Sequence, residues 1–201
     1  GSNAFQDYRH LRDHGYQSDV VIRSRSTTHR VHRCMLAMRS TKMATLLREL
    51  SVEDDGSSET STVTTAAELN FEHVPDDVMA HALNFIYTNI SVGAPPVTSD
   101  EGQKLLHVLT QEFGLDGESI TVDASGLLSA DIEQYASSIY QLSEQREQFY
   151  PDVAIVLDSG DRLMAHKCVL SARSDYFRAA FQSGLMESTK KELHFSEATV
   201  E

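Results

Sequence analysis

Residues 152–181 read DVAIVLDSGDRLMAHKCVLSARSDYFRAAF, and the rest of the chain can be placed relative to them. Val153, Ile155 and Leu157 alternate with their neighbours, the period of a strand with one buried face. Asp158, Ser159, Gly160 and Asp161 predict a turn in which Gly160 takes a positive φ. Leu163 and Ala165 resume the alternation, so the segment is a hairpin. Cys168, Val169, Leu170 and Ala172 are too apolar for an exposed loop and predict a short helix. Ser174 can cap the next helix, its hydroxyl accepting from a free backbone amide. Tyr176, Phe177, Ala180 and Phe181 share one face of that helix.

The same order occurs earlier. Residues 18–47 read SDVVIRSRSTTHRVHRCMLAMRSTKMATLL. His32, Cys34, Leu36, Arg39 and Ser40 return 134 positions later as His166, Cys168, Leu170, Arg173 and Ser174. Asp19 and Asp152 are 133 apart, so the second hairpin is one residue longer. Glu68-Leu69-Asn70-Phe71 echoes Glu192-Leu193-His194-Phe195 and predicts a third strand in each copy. Such self-similarity means one supersecondary unit used twice.

With 201 residues the chain can bury one sizeable core or two small ones. A net charge of −13 argues against nucleic acid and anionic membrane as partners, because phosphates and lipid headgroups repel it. No run of 18 apolar residues and no signal-like start is present, so membrane insertion is not expected. Cys34 and Cys168, at matching positions on short core helices, read as buried small hydrophobes rather than a disulfide or a reactive pair. That usage suits a reducing compartment. Residues 1–4, Gly-Ser-Asn-Ala, read as a cloning scar.

Residues 5–15 predict a short helix with Tyr8 and Leu11 inward. Met43, Leu46, Leu47 and Leu50 share a helix face after Ser40. Residues 53–62 are acidic and polar, and read as a mobile loop inserted into the first copy. Pro75, Asp76 and Asp77 open a helix, with the acids placed for its dipole, and Val78, Ala82, Phe85 and Ile86 form its buried stripe. Ser99 begins another helix, carrying Leu105, Val108, Leu109 and Phe113 and stopped by Gly114. Residues 120–122, a short apolar run, predict a strand. From Ser129 a helix of roughly twenty residues is expected, with Ile132, Tyr135, Ala136, Ile139 and Leu142 on one side.

The motif search finds no Cys-x-x-Cys, His-Glu-x-x-His, P-loop or Gly-x-Ser-x-Gly pattern, so no cofactor, metal or catalytic residue is expected. His29 and His32 have a spacing that suits a metal on a helix, but on a strand they point to opposite faces. His32 and His166 fall at the junction of hairpin and helix, where a structural hydrogen bond is the plainer role.

Asp-Val at the head, Ala-His-Lys-Cys-Val-Leu in the middle and Arg-Ser-Asp-Tyr-Phe-Arg behind resemble the BTB/POZ fold over about thirty consecutive residues. Phe85-Ile86-Tyr87-Thr88 is similar to the end of a BTB helix. The resemblance implies an α/β (α+β) interaction module, a small sheet capped by a helical cluster, and no enzyme. The copies are then a first BTB domain over residues 5–122 and the N-terminal half of a second over 149–201. A linker helix over residues 123–148 resembles the extra helix with which long-form BTB domains dimerise; the plainer alternative is a linker helix packed on the first copy. The second copy lacks the helical half, which implies a fragment of a longer protein or a partner chain that completes the core.

The resemblance carries site residues with it. In BTB dimers the acid and base matching Asp19 with Arg33, and Asp152 with Lys167, lie in a pocket at the subunit interface; the plainer role is to tie each strand to its own helix. Ile132, Tyr135, Ile139 and Leu142 would belong to the same homodimer interface. Leu185, Met186 and Glu187 match a hydrophobic-x-Glu motif with which BTB adaptors bind the cullin-three ubiquitin-ligase scaffold, and Tyr87 matches a common contact position for that scaffold. KLLHVLTQEFGL at residues 104–115, followed by HKCVLSAR at residues 166–173, is similar to the inhibitor of Bruton tyrosine kinase family. That family implies a large adaptor, cytoplasmic with the nucleus as an alternative, with ankyrin and RCC1-type repeats upstream and an unidentified substrate protein or kinase as cargo. A tandem self-association scaffold without a ligase is the alternative.

Overall fold

The computed structural model describes residues 4–52, 66–91, 95–117, 120–145, 148–182 and 191–195. The first copy runs α1 (Ala4–His14), β1 (Val20–Arg23), β2 (Thr28–Val31), α2 (Arg33–Arg39), α3 (Thr41–Val52) and β3 (Ala67–Asn70). α4 (Asp76–Thr88) and α5 (Asp100–His107) follow, and α5 continues as a π-helical turn over Val108–Glu112. A short hairpin, β4 (Ile120–Val122) and β5 (Leu128–Ala130), leads into α6 (Ile132–Glu144). The second copy is β6 (Val153–Leu157), β7 (Arg162–Ala165), α7 (Lys167–Arg173), α8 (Asp175–Gln182) and β8 (Glu192–Phe195).

Both copies build the same mixed sheet. β1 pairs antiparallel with β2, Val20 opposite Val31, and parallel with β3, Val20 opposite Ala67. β6 pairs antiparallel with β7, Val153 opposite Ala165, and parallel with β8, Ala154 opposite Glu192. A tight turn can join antiparallel strands, whereas the parallel third strand needs a crossover, which α2–α3 and α7–α8 supply. Ser40 and Ser174 serve the crossover alike: each hydroxyl accepts from an amide of the following helix, Met43 at 3.0 Å and Phe177 at 3.5 Å.

One local feature lay beyond the sequence reading and two depart from it. The first hairpin has no glycine at its turn, and the Asp76 carboxylate holds it closed from the start of α4. Asp76 accepts from the Ser24 hydroxyl at 2.6 Å, the Ser26 amide at 2.9 Å and the Thr27 amide at 3.1 Å, and also from the Ser26 hydroxyl. These donors hold its carboxyl far below the usual range. By contrast, the second turn uses Gly160 at φ +87°, as its sequence predicts. The expected long helix from Ser129 is shorter, because Leu128–Ala130 forms β5 and Asp131 caps α6 by accepting from the Glu133 amide at 2.9 Å. The expected single helix at Ser99 changes to π geometry at Val108 before Gly114. The acidic segment 53–62 and residues 1–3 lie outside the described residues.

One large core dominates. It gathers Leu11, Ile22, Met35, Leu69, Phe85 and Phe113 of the first copy and extends into Leu142, Cys168 and Ala172. Around the second sheet a smaller cluster holds Val153, Ala165, Phe181 and Leu193. The difference follows from α4 and α5, which add Val78, Phe85 and Leu105 to the first core and have no counterpart among the described residues of the second copy. No helix among the described residues is long and apolar enough to cross a membrane.

Candidate functional site

The two copies meet along a seam built by exchange. α1 packs against α4 of its own copy and also against α7 of the other, while α6 packs back against α2 of the first. The exchange begins at Gln17 and Tyr150, which precede β1 and β6 by equivalent distances. Both are non-glycine residues in the left-handed region, at φ +58°. Each such residue costs about 1–2 kcal/mol, so tertiary contacts must hold it. Those contacts reach across the seam: Gln17 Nε2 donates to the Phe181 carbonyl at 3.3 Å, and the Tyr150 hydroxyl donates to the Ala44 carbonyl at 3.1 Å.

The histidines at the two hairpin–helix junctions fix the preceding segments. His32 Nε2 lies 2.7 Å from the Tyr16 carbonyl, and His166 Nε2 lies 2.7 Å from the Phe149 carbonyl. A carbonyl only accepts, so Nε2 carries the proton in both. In His32 that leaves Nδ1 as the acceptor for the Tyr87 hydroxyl at 2.7 Å, and the same hydroxyl accepts from the His32 amide at 3.0 Å. Burial pushes the His32 pKa down to about 4 and the Tyr87 phenol up, so both are neutral. His29 takes a different partner, the Ser24 hydroxyl at 3.1 Å. Among the described residues no group of three His, Cys, Asp or Glu side chains could hold a metal.

Asp19 and Asp152 start the two strands and serve the two helices. Asp19 Oδ1 accepts from the Arg33 amide at 2.8 Å, and Asp152 Oδ1 accepts from the Lys167 amide at 2.7 Å. The matching bases then diverge. Arg33 Nε lies 3.9 Å from Asp19 and its guanidinium stacks over Tyr150, whereas the Lys167 ammonium sits over the Phe181 ring at 5.6 Å. Removal from water on the protein side pushes the Asp19 carboxyl up to about 6, opposed by the Arg33 amide and guanidinium and aided by the Asp152 charge. Asp152 moves in the same direction, again chiefly through burial.

At the middle of the seam Cys34 Sγ and Cys168 Sγ are 3.4 Å apart, buried and unbridged. Their contact and burial push the Cys168 thiol well above its ordinary value, which disfavours the reactive thiolate. Arg39 and Arg173, another repeat-related pair, both reach across: the Arg39 guanidinium lies over Tyr135 of α6 at 4.8 Å, and Arg173 pairs with Asp7 of α1 at 3.2 Å.

The seam thus gathers Asp19, Arg33, Asp152, Lys167, Tyr135 and Leu142, with Ile139 packed at its edge. Ile132 does not join them; it is 61% exposed at the start of α6. Tyr87 is not a surface contact position either, being fully buried with its hydroxyl on His32. Leu185, Met186 and Glu187 lie outside the described residues, in the connection between α8 and β8. The sequence reading missed Gln17, Tyr150 and the Cys34–Cys168 contact. An aromatic three positions before each aspartate, Tyr16 and Phe149, was the signal available for the first two.

The BTB/POZ domain family model matches residues 8–117 and 142–201, one segment for each copy. A 63-residue segment is 36% identical to Kelch repeat and BTB domain-containing protein 2 of Pongo abelii, covering 30% of this chain and 10% of that protein. A 42-residue segment is 48% identical to Kelch repeat and BTB domain-containing protein 8 of Homo sapiens, and equally to that of Xenopus tropicalis, covering 21% of this chain and 7% of each. The chain therefore matches a tenth or less of the length of these curated relatives. With matched segments spanning most of its length and the same sheet built twice, the chain belongs to the BTB/POZ domain family.

Proposed function

We propose that the chain is the interaction module of a substrate adaptor for a cullin-three RING ubiquitin ligase, in a protein similar to the inhibitor of Bruton tyrosine kinase family. The reciprocal exchange of α1 and α6 carries this reading. It supplies within one chain the paired arrangement expected of two BTB subunits, so the homodimer implied by the resemblance is replaced by a pair of copies in tandem. Leu185, Met186 and Glu187 are the scaffold contact in this reading: the apolar side chain fills a groove and the carboxylate accepts hydrogen bonds. Their place between α8 and β8 supports the assignment. The cargo, a substrate protein or kinase, is held by other parts of the full-length adaptor, in the cytoplasm or the nucleus.

A pull-down of the purified chain with the N-terminal region of the cullin tests this. Retention that falls at least tenfold in the Leu185→Ala, Glu187→Ala double variant is the expected result. No retention of the unaltered chain would leave the alternative, a tandem scaffold that self-associates without a ligase. One observation favours that second reading: Tyr140 and Leu163, at the open side of the second copy, are exposed.

A further inference from the structure

The internal repeat shows what one buried arginine lacks. Arg173, at the end of α7, pairs with Asp7 of α1 at 3.2 Å. Arg39 stands at the same place on α2, and α6 packs on α2 as α1 packs on α7. Tyr8 and Leu11 of α1 turn into the core, as do Ile139 and Leu142 of α6 at the same spacing. That register puts Ser138 where α1 carries Asp7, so this half lacks the carboxylate. The Ser138 hydroxyl turns back to its own helix, donating to the Gln134 carbonyl at 3.0 Å. Arg39 donates to Asn89 Oδ1 at 2.8 Å, lies over the Tyr135 ring, and keeps Nε buried without a hydrogen-bond partner. Among the described residues no carboxylate pairs with it. Removal from water lowers its pKa to about 10, opposed by Tyr135. A guanidinium held in this way favours a counter-anion.

Arg39 lines a cavity of about 540 Å³ between α2, α3 and α6, a size within the range of small-molecule sites. Ser138 and Arg48 line it as well, and Gln134 and Gln141 of α6 add neutral donors and acceptors. Asp116 is an opposing charge on its wall, but it is exposed to solvent that screens it. We propose that this cavity binds a small hydroxycarboxylate, whose carboxylate takes on Arg39 the place that Asp7 takes on Arg173. The side-chain amides match the hydroxyl groups of such a ligand, and Arg48 matches a second carboxylate. The charge of −13 repels anions in general, so holding one requires these local donors and not the field of the whole chain. The site is separate from the scaffold contact proposed above and does not rest on it.

The probe is sodium malate, titrated into the isotope-labelled full chain and followed by NMR, with sodium chloride at matched ionic strength as the control. Saturable shifts of the Arg39 Nε–H and of the Gln134 and Gln141 side-chain amides are expected at roughly 1 mM malate. Ser138→Asp gives this half the carboxylate of the other and is expected to weaken malate roughly tenfold or more. Ser138→Asn, of the same size without the charge, is expected to bind as the unaltered chain does. Arg48→Gln, at an exposed position of α3, is expected to weaken malate too, and remains as the test if Ser138→Asp does not fold. Unchanged binding in either folded variant, equal loss in Ser138→Asn and Ser138→Asp, or shifts that chloride reproduces overturns the proposal. So does the absence of saturation up to roughly 10 mM malate. The titration contains no cullin, so either reading can fail while the other stands.

Discussion

His32 shows how one side chain at the seam sets the behaviour of the chain with pH. Its folded pKa, about 4, lies below the ordinary value of 6.5, so between these limits the unfolded chain binds more protons than the folded one. Stability therefore rises with pH across this window and is complete above it. The size of the shift corresponds to roughly 3 kcal/mol. Asp19, raised to about 6, acts in the opposite direction, because the folded state holds its proton longer. Its side chain keeps 42% of its surface, so solvent screens it and His32 dominates. Urea midpoints are accordingly expected to increase from pH 4.5 to pH 7, and to increase more steeply in Asp19→Asn; a flat or falling profile would contradict the assignment of His32 as buried and neutral. Tyr87 is the partner to change next. Tyr87→Phe leaves the His32 amide without its acceptor and Nδ1 without its donor in a dry site, a loss of about 1–3 kcal/mol. Equilibrium unfolding at pH 7 measures it, and a neutral substitution would show that water reaches the junction.

At the scale of elements, the strands, the crossover helices and the repeat were legible, because period-2 alternation and a fixed offset are properties of the sequence itself. Val153, Ile155 and Leu163 point to a strand pair whatever lies around them. What was not legible depended on distant partners. The first hairpin lacks a glycine, and nothing near Ser24 announces that Asp76, 52 positions on, closes its turn. Ser129 and Ala130 were read as the start of a helix because they carry no strong preference; the pairing of β5 with β4 and the bridge from Ile90 decide it. Tyr87 was named from the family resemblance alone, and its burial depends on His32, which reaches its hydroxyl from 55 positions away. The exchange of α1 makes a prediction of its own. Leu11 is fully buried where α1 meets α4 and α7, so Leu11→Ala is expected to cost about 2–5 kcal/mol. Since α1 joins both copies, the variant should still unfold in one transition. Two separated transitions in urea, read by circular dichroism and by tyrosine fluorescence, would show that the copies are held independently.

On the scale of the whole molecule, the two copies cover each other within one chain. α1 packs on α7, α6 on α2, and Cys34 lies against Cys168. The first copy has both its sheet and its covering helices, and the second copy leans on it, contributing Leu142, Cys168 and Ala172 to the common core. Two further effects bear on self-association. The exposed Tyr140 and Leu163 favour it through apolar burial, while a charge of −13 on each chain opposes it at low ionic strength. With that charge on each chain, repulsion is expected to win at low salt. Light scattering across a dilution series should then give a monomer near 22.4 kDa at 50 mM and at 150 mM salt. A mass of twice that value, independent of concentration at both salts, would mean that the exchange of α1 and α6 takes place between chains and not within one, and the single-chain pair of BTB copies would have to be abandoned.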